Sequence, residues 1–365
     1  MLKSPFPWFG GKARVAPEVW DRFGNVPNYV EPFFGSGAVL LARPFSPGVE
    51  TINDKDCFVA NFWRALQHDP EGVTEHADNP VNEADLHARH LWLVNNQDFQ
   101  ERMKTDPMYY DSMVAGWWVW GQSQWIGGGW CTGRSSWGHE FADGEPCHER
   151  LPDISNPGKG IHRKLPHLGD PGKGIHRQLP HLSDPGKESI AIASDRTSGT
   201  PARASIASYL AELADRLRRV RVCCGDWARV LGPSPTFKLG LTGVFLDPPY
   251  SEESGRADMS LYGTEDLQVS HAVREWCIDN GDNPLLRIAL CGYEGEHQMP
   301  DSWECLAWKA VGGYGSQGNG KGRENAGRER IWFSPYCLRL QENLFAGTMG
   351  PTDGKEVIPD IHPKA

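Results

Sequence analysis

The sequence predicts an α/β fold: a parallel sheet with helices on both faces, interrupted by an inserted domain. Short apolar runs alternate with helix-length amphipathic segments near both ends of the chain. Such runs are the signature of strands buried on two faces and joined by crossover helices. The alternation stops near residue 67 and resumes near residue 203. Between them the composition shifts to Gly and Trp, then to Asx-Pro-Gly turns. A length of 365 residues suits about two domains at roughly 150 residues each. The predicted division is a split domain over 1–66 and 203–340, an insert over 67–202 and a Pro/Gly-punctuated tail over 341–365.

In chain order, Asn28-Tyr29-Val30-Glu31 and Val49-Glu50-Thr51-Ile52 read as the first two strands. Helices are predicted after each, over Ser36–Ala42 and Asp56–Leu66. Two further helices, Asn82–Asn95 and Tyr109–Trp120, lead into a Gly-rich stretch that carries Trp117, Trp118, Trp120, Trp125, Trp130 and Trp137. Trp117, Trp118 and Trp120 cannot share one helix face, so core packing is favoured over base stacking for this cluster. A 14-residue repeat follows, starting at Asn156 and again at Asp170, with a third copy opening at Asp184 and dissolving. Units this short and few do not build a solenoid; turn-opened loops or hairpins fit better. The resumed pattern gives an amphipathic helix over Arg203–Arg218 and strands at Val220–Cys224, Gly243–Asp247 and Leu286–Cys291. A helix is predicted over Thr264–Asn280, and Trp303–Val311 with Arg330–Phe333 as an antiparallel pair closing the sheet.

Composition excludes several classes. There is no run of about 18 apolar residues that could span a membrane, and the Pro-broken N-terminus shows no signal peptide. Nine cysteines, scattered with no C-x-x-C pair, argue against a disulfide framework or a zinc site and for a reducing cytoplasm. A net charge of −10 argues weakly against a chain coated in nucleic acid, though it permits a local basic face.

Four short motifs carry chemistry. Asp247-Pro248-Pro249-Tyr250 ends an apolar strand, where open parallel sheets bind ligands. Its prolines stiffen an extended segment that presents a carboxylate, a carbonyl and an aromatic ring, suited to a flat heterocycle with an exocyclic amine. The bland alternative is a strand-ending turn with a surface Tyr. Glu31-Pro32-Phe33-Phe34-Gly35-Ser36-Gly37 lets the backbone approach a ligand closely, or is a structural turn. Asn53-Asp54 ends the second strand, where an acidic residue holds ribose hydroxyls or simply caps a helix. Pro7-Trp8-Phe9-Gly10-Gly11-Lys12 resembles a fragment of a phosphate loop, but the full G-x-x-x-x-G-K-S/T is absent, which disfavours ATP.

Taken in order, with Cys224-Gly225-Asp226-Trp227 before Asp247-Pro-Pro-Tyr250, these motifs resemble the Dam-like, alpha-type DNA adenine methyltransferases. Tyr262, His271, Cys291-Gly292-Tyr293 and Glu329-Arg330-Ile331-Trp332-Phe333 add to the likeness, which covers about 1–66 and 203–335. The resemblance implies a Rossmann-like methyltransferase sheet interrupted by a target-recognition insert, and S-adenosylmethionine as cofactor. It implies that Trp8 and Lys12 close over the cofactor and that Glu31, Phe33, Gly35 and Gly37 shape its pocket. Asp54 would then bind the ribose, Asp226 and Trp227 would flank the cofactor's adenine, and Asp247, Pro248, Pro249 and Tyr250 would hold the target base. No metal is required by such chemistry. The repeat departs from the family pattern, so no recognised sequence follows from the likeness.

The repeat also supplies a DNA expectation. Lys159, Arg163, Lys164, Lys173, Arg177 and Lys187 face only Asp170 and Asp184 between 156 and 187, a basic island in an acidic chain. Gly-flanked basic loops grip phosphates or enter a groove; otherwise they are solvated loops that keep the chain soluble. The loop from Gly312 to Arg330, with Lys321, Arg323 and Arg328, covers a flipped base or is a plain hairpin tip. The expected partner is double-stranded DNA, with no protein partner, as in a solitary phage-type enzyme. RNA adenine methylation and a decayed, non-catalytic DNA-binding protein are the rival readings.

Overall fold

A computed structural model describes residues 2–6, 8, 11–106, 108–125, 130–131, 202–250, 268–309 and 327–339. The repeat with Lys159, Arg163, Lys164, Lys173 and Arg177 lies outside these residues, as do Trp137, Tyr262, Lys321, Arg323 and the 341–365 tail. The strands are β1 (Asn28–Glu31), β2 (Val49–Asp54), β3 (Arg221–Cys224), β4 (Thr242–Leu246), β5 (Leu286–Tyr293), β6 (Glu304–Ala307) and β7 (Glu329–Phe333). They form one sheet in the order β3-β2-β1-β4-β5-β7-β6. The first five are parallel, while β7 runs antiparallel to both β5 and β6. This is the Rossmann-like sheet that the resemblance implies, and the late strands close it as the sequence predicts.

The strands are covered on both faces: all four residues of β1, polar Asn28 and Glu31 included, and all five of β4 are buried. One face carries α1 (Ala16–Phe23), α2 (Ala38–Leu41), α3 (Cys57–His68), α4 (Pro70–Ala77), α5 (Glu83–Asn95), α6 (Gln97–Thr105), α7 (Ser112–Gln124) and α8 (Ala202–Leu217). Its core joins Phe6, Trp20, Tyr29, Trp63, Leu86, Trp118, Leu213 and Phe245. On the other face α9 (Val269–Asn280) buries Val273 and Cys277 with Val244, Ile288, Trp303 and Trp332. Composition changes at residue 67, but packing does not: α4 lies against α7 and α8, and α7 against α3, in that first core.

Helix starts follow local chemistry. The side chains of Asp56, Asn82 and Asp111 each accept a backbone N–H of the first turn, from Phe58, Asp85 and Val114. Caps of this kind are worth about 1 kcal/mol each. Asp111 explains why α7 begins at Ser112 rather than at the predicted Tyr109. Helix α2 is shorter than the predicted Ser36–Ala42 because Gly37, at φ +71°, stands outside it in the left-handed region. α4 and α6 are helices that periodicity did not predict; Asp69 and Asn96 each end one helix and cap the next. Within the Trp cluster, Trp118, Trp120, Trp125 and Trp130 are core residues and Trp117 is half-buried.

Candidate active site

Strand order reverses between β1 and β4: the chain builds outward through β2 and β3 on one side and through β5 on the other. The crevice beyond the carboxyl ends of strands at such a switch point is where open sheets bind ligands. The Glu31–Gly37 segment leaves β1, Asn53-Asp54 ends β2, Gly225-Asp226 follows β3, and Asp247–Tyr250 follows β4. The topology therefore brings these four segments to one end of the sheet.

On the β1–β2–β3 side the backbone is locked by a web of hydrogen bonds. Asp54 Oδ2 accepts the Gly35 N–H at 2.9 Å, and its Oδ1 accepts the Asp56 N–H at 2.9 Å. Asn53 donates through Nδ2 to the carbonyls of Pro32 (3.0 Å) and Gly225 (2.9 Å), tying the turn after β1 to the turn after β3. The Trp63 indole N–H reaches the Gly35 carbonyl at 2.9 Å. Gly35 and Gly37 have φ of +48° and +71°, and a Cβ on Gly35 would strike the Trp8 indole. Trp8 thus packs on the glycine turn. Burial pushes the Asp54 carboxyl up to about 7; the Asp56 charge adds to this, and the Gly35, Asp56 and Lys55 amides oppose it.

Next to this web, Asp226 is exposed and its Oδ1 accepts the Ala228 N–H. The partly buried rings of Phe33 and Trp227 face each other at 6.3 Å and 27°. Cys57 opens α3 and Cys224 ends β3; their sulfurs are 3.8 Å apart, and the Cys224 thiol donating to Cys57 lowers the Cys57 pKa.

On the β4–β5–β7 side, side chains rather than backbone make the arrangement. Lys12 Nζ lies 2.9 Å from Asp247 Oδ2 and donates to the Tyr250 hydroxyl at 3.2 Å. Tyr250 Oη is 2.8 Å from Glu329 Oε2 and 3.2 Å from Asp247 Oδ1. Its ring meets the Tyr293 ring edge-on at 4.5 Å, and Tyr293 pairs with Glu329 across the β5–β7 ladder. Lys12, Tyr250 and Glu329 are all buried. Burial alone would lower the Lys12 pKa, but the Asp247 and Glu329 carboxylates outweigh it and hold the ammonium well above its usual value. Burial, then the same two carboxylates, hold the Tyr250 phenol well above its own, so it remains a donor.

Glu31 lies between the two sides. Its carboxyl is held well above the usual carboxylate range by burial; the Tyr29 hydroxyl, 2.7 Å from Oε2, opposes this, and the Asp247 and Asp54 charges add to it. Of the residues read from sequence, Trp8, Phe33, Gly35, Gly37, Asp54, Asp226 and Trp227 cluster at the β1–β3 ends. The structure places Lys12, read as a cofactor-side residue, against Asp247. His271 sits half-buried on α9, and Arg328 covers the Tyr293 ring at 5.5 Å. Sequence reasoning missed the parts played by Trp63, Asn53 and Glu329. Glu329 was visible only within a family-like string, and no local signal tied it to Tyr250.

The groups at the β1–β3 ends suit an adenosyl cofactor. A carboxylate ending β2 can accept ribose hydroxyls, an exposed carboxylate after β3 can accept an adenine amine, and two aromatic faces adjoin it. Among the described residues no helix is long and apolar enough to cross a membrane. Residues 8–120 match the family model of the D12 class N6 adenine-specific DNA methyltransferases. No curated protein matches the chain.

Proposed function

We propose that this protein transfers a methyl group from S-adenosylmethionine to the exocyclic N6 amine of an adenine flipped out of duplex DNA. The observation that carries this reading is the Asp247 carboxylate just beyond the end of β4, at the switch point of the sheet and held by a buried ammonium. The D12 class match supports DNA adenine methylation as the activity.

Asp54 would hold the ribose, Asp226 and Trp227 the cofactor's adenine, with Phe33, Gly35 and Gly37 shaping the pocket. Bound there, S-adenosylmethionine supplies a methyl group made electrophilic by its positive sulfur. The residues of the base side do the rest. An adenine amine is a poor nucleophile because its lone pair is delocalised into the ring. Asp247 and the Pro248 carbonyl each accept one of its N–H groups, biasing the nitrogen towards a pyramidal form with its lone pair free. Lys12, 2.9 Å from Oδ2, fixes the position of the Asp247 carboxyl group. The amine nitrogen must shed one proton as it gains a carbon, and the Asp247 carboxylate is the base it already faces. Orientation and electrostatics are the main contributions, so the rate depends on how firmly Asp247 is held.

Flipping the base costs a few kcal/mol. The 67–202 segment would meet that cost through DNA contacts, with Lys159, Arg163, Lys164, Lys173 and Arg177 gripping phosphates. The catalytic unit would be the sheet built from 1–66 and 203–340, acting in the cytoplasm without a protein partner.

The test is to express the chain in cells lacking adenine methylation and map modified bases genome-wide. N6-methyladenine confined to one sequence context supports the reading. Methylation of RNA alone, or no methylation by a chain that binds S-adenosylmethionine, overturns it. Asp247→Ala should abolish methylation while cofactor affinity stays within about threefold; near-normal turnover by that variant would sink the assignment.

A further inference from the structure

We infer that Glu329 is a positioning residue of this site, acting through the Tyr250 hydroxyl to keep Asp247 open for the substrate amine; this rests on the methyl-transfer reading above. The Glu329 side chain is 3% exposed. A carboxylate so buried is costly unless charge or hydrogen bonds compensate it. Here it accepts from Tyr250 at 2.8 Å and lies close enough to Lys12 to raise that ammonium's pKa.

The Tyr250 hydroxyl has one proton and two carboxylates within reach, Glu329 at 2.8 Å and Asp247 at 3.2 Å. A proton donated to Asp247 Oδ1 would occupy an oxygen that the substrate amine needs, because Oδ2 is already 2.9 Å from Lys12. The shorter contact is to Glu329, and Lys12 donates to the same hydroxyl oxygen from another side. The hydroxyl proton is thereby drawn to Glu329, its nearer acceptor, in preference to Asp247 Oδ1. The ladder makes this geometry stiff. Glu329 pairs with Tyr293 between β7 and β5, and the Tyr293 ring braces the Tyr250 ring at 4.5 Å. One strand pair thus fixes Tyr250 at both its ring and its hydroxyl. Loss of a hydrogen bond to a charged group predicts an effect of about 10- to 100-fold on the rate.

The experiment compares Glu329→Gln, Tyr250→Phe and the double variant, using duplex DNA that carries the mapped target sequence. In Glu329→Gln, kcat should fall about 10- to 100-fold with S-adenosylmethionine affinity unchanged. A cofactor-free readout accompanies it: with 2-aminopurine placed beside an intact target adenine, the fluorescence gain on binding should shrink, because an adenine whose amine is refused by Asp247 leaves the stack less often. Tyr250→Phe removes the competing hydroxyl, so adding Glu329→Gln to it should cost less than about threefold more. Glu329→Asp should recover part of the lost rate, and it covers the case in which the glutamine variant fails to fold. Wild-type turnover and fluorescence in Glu329→Gln, or full additivity in the double variant, overturns the inference. A wild-type chain that methylates nothing instead removes the underlying reading, so the two failures are distinct.

Discussion

The two halves of the crevice are built by different means. At the ends of β1, β2 and β3 nearly every fixed atom is held by the backbone: Asp54 and Asn53 reach the amides and carbonyls of Gly35, Pro32 and Gly225. At the ends of β4, β5 and β7 the fixed atoms are polar side chains, with Lys12, Asp247 and Glu329 each in contact with the Tyr250 hydroxyl. A backbone web fails locally and in small steps, whereas a buried charge cluster fails as a unit. The proposed cofactor side should therefore respond gradually to substitution, and the proposed base side abruptly.

The largest expected effect is on the base side. Lys12→Met keeps the length of the side chain and removes its charge, leaving two carboxylates facing one phenol in a buried site. Breaking a buried ion pair by deleting one partner costs about 3–5 kcal/mol. The methylation rate should fall by 100-fold or more, with a clear drop in the melting temperature. A rate within about threefold of wild type would erase the contrast between the halves, because the cluster would then not act as a unit.

A smaller, graded effect belongs to Asp54. Burial raises its pKa to about 7, so it takes up a proton on folding between the ordinary carboxylate value and about 7, and its contribution to stability falls as pH rises through that window. Ribose hydroxyls donate, so the cofactor prefers the ionised form, and the sign for binding is the opposite. Affinity should strengthen about tenfold from about pH 6 to pH 8. Asp54→Asn should bind more weakly and lose that slope; equilibrium binding at fixed ionic strength reads both. An unchanged slope in the variant would assign the titration to another group.

The same contrast explains what was legible in the sequence. Apolar runs mark β4 and β5 because both faces are covered, and Asp56, Asn82 and Asp111 mark helix starts because capping is local. Glycines at Gly35 and Gly37 are readable as turn formers for the same reason, since their positive φ is a local demand. The base-side cluster was not readable, because its partners are distant in the chain. Lys12 and Tyr250 are separated by 238 positions and Glu329 and Tyr250 by 79, and nothing local reports a sheet register. The antiparallel β5–β7 pairing sets Glu329 beside Tyr293, so a motif residue becomes a site residue only once the strands are aligned.

The finest test of the contrast is Trp63→Phe. The ring volume is largely kept within the core, while the indole N–H that holds the Gly35 carbonyl at 2.9 Å is lost. One hydrogen bond of this type contributes about 0.5–1.5 kcal/mol, so cofactor affinity should weaken by roughly two- to tenfold. The rate at saturating cofactor should barely move, because no base-side charge is touched. Combined with Lys12→Met, the change should add within about 0.5 kcal/mol, as expected for sites with no shared partner. Strong coupling between Trp63 and Lys12 would mean that the glycine turn and the charge cluster are one mechanical unit, and the division between backbone-held and charge-held halves would fail there.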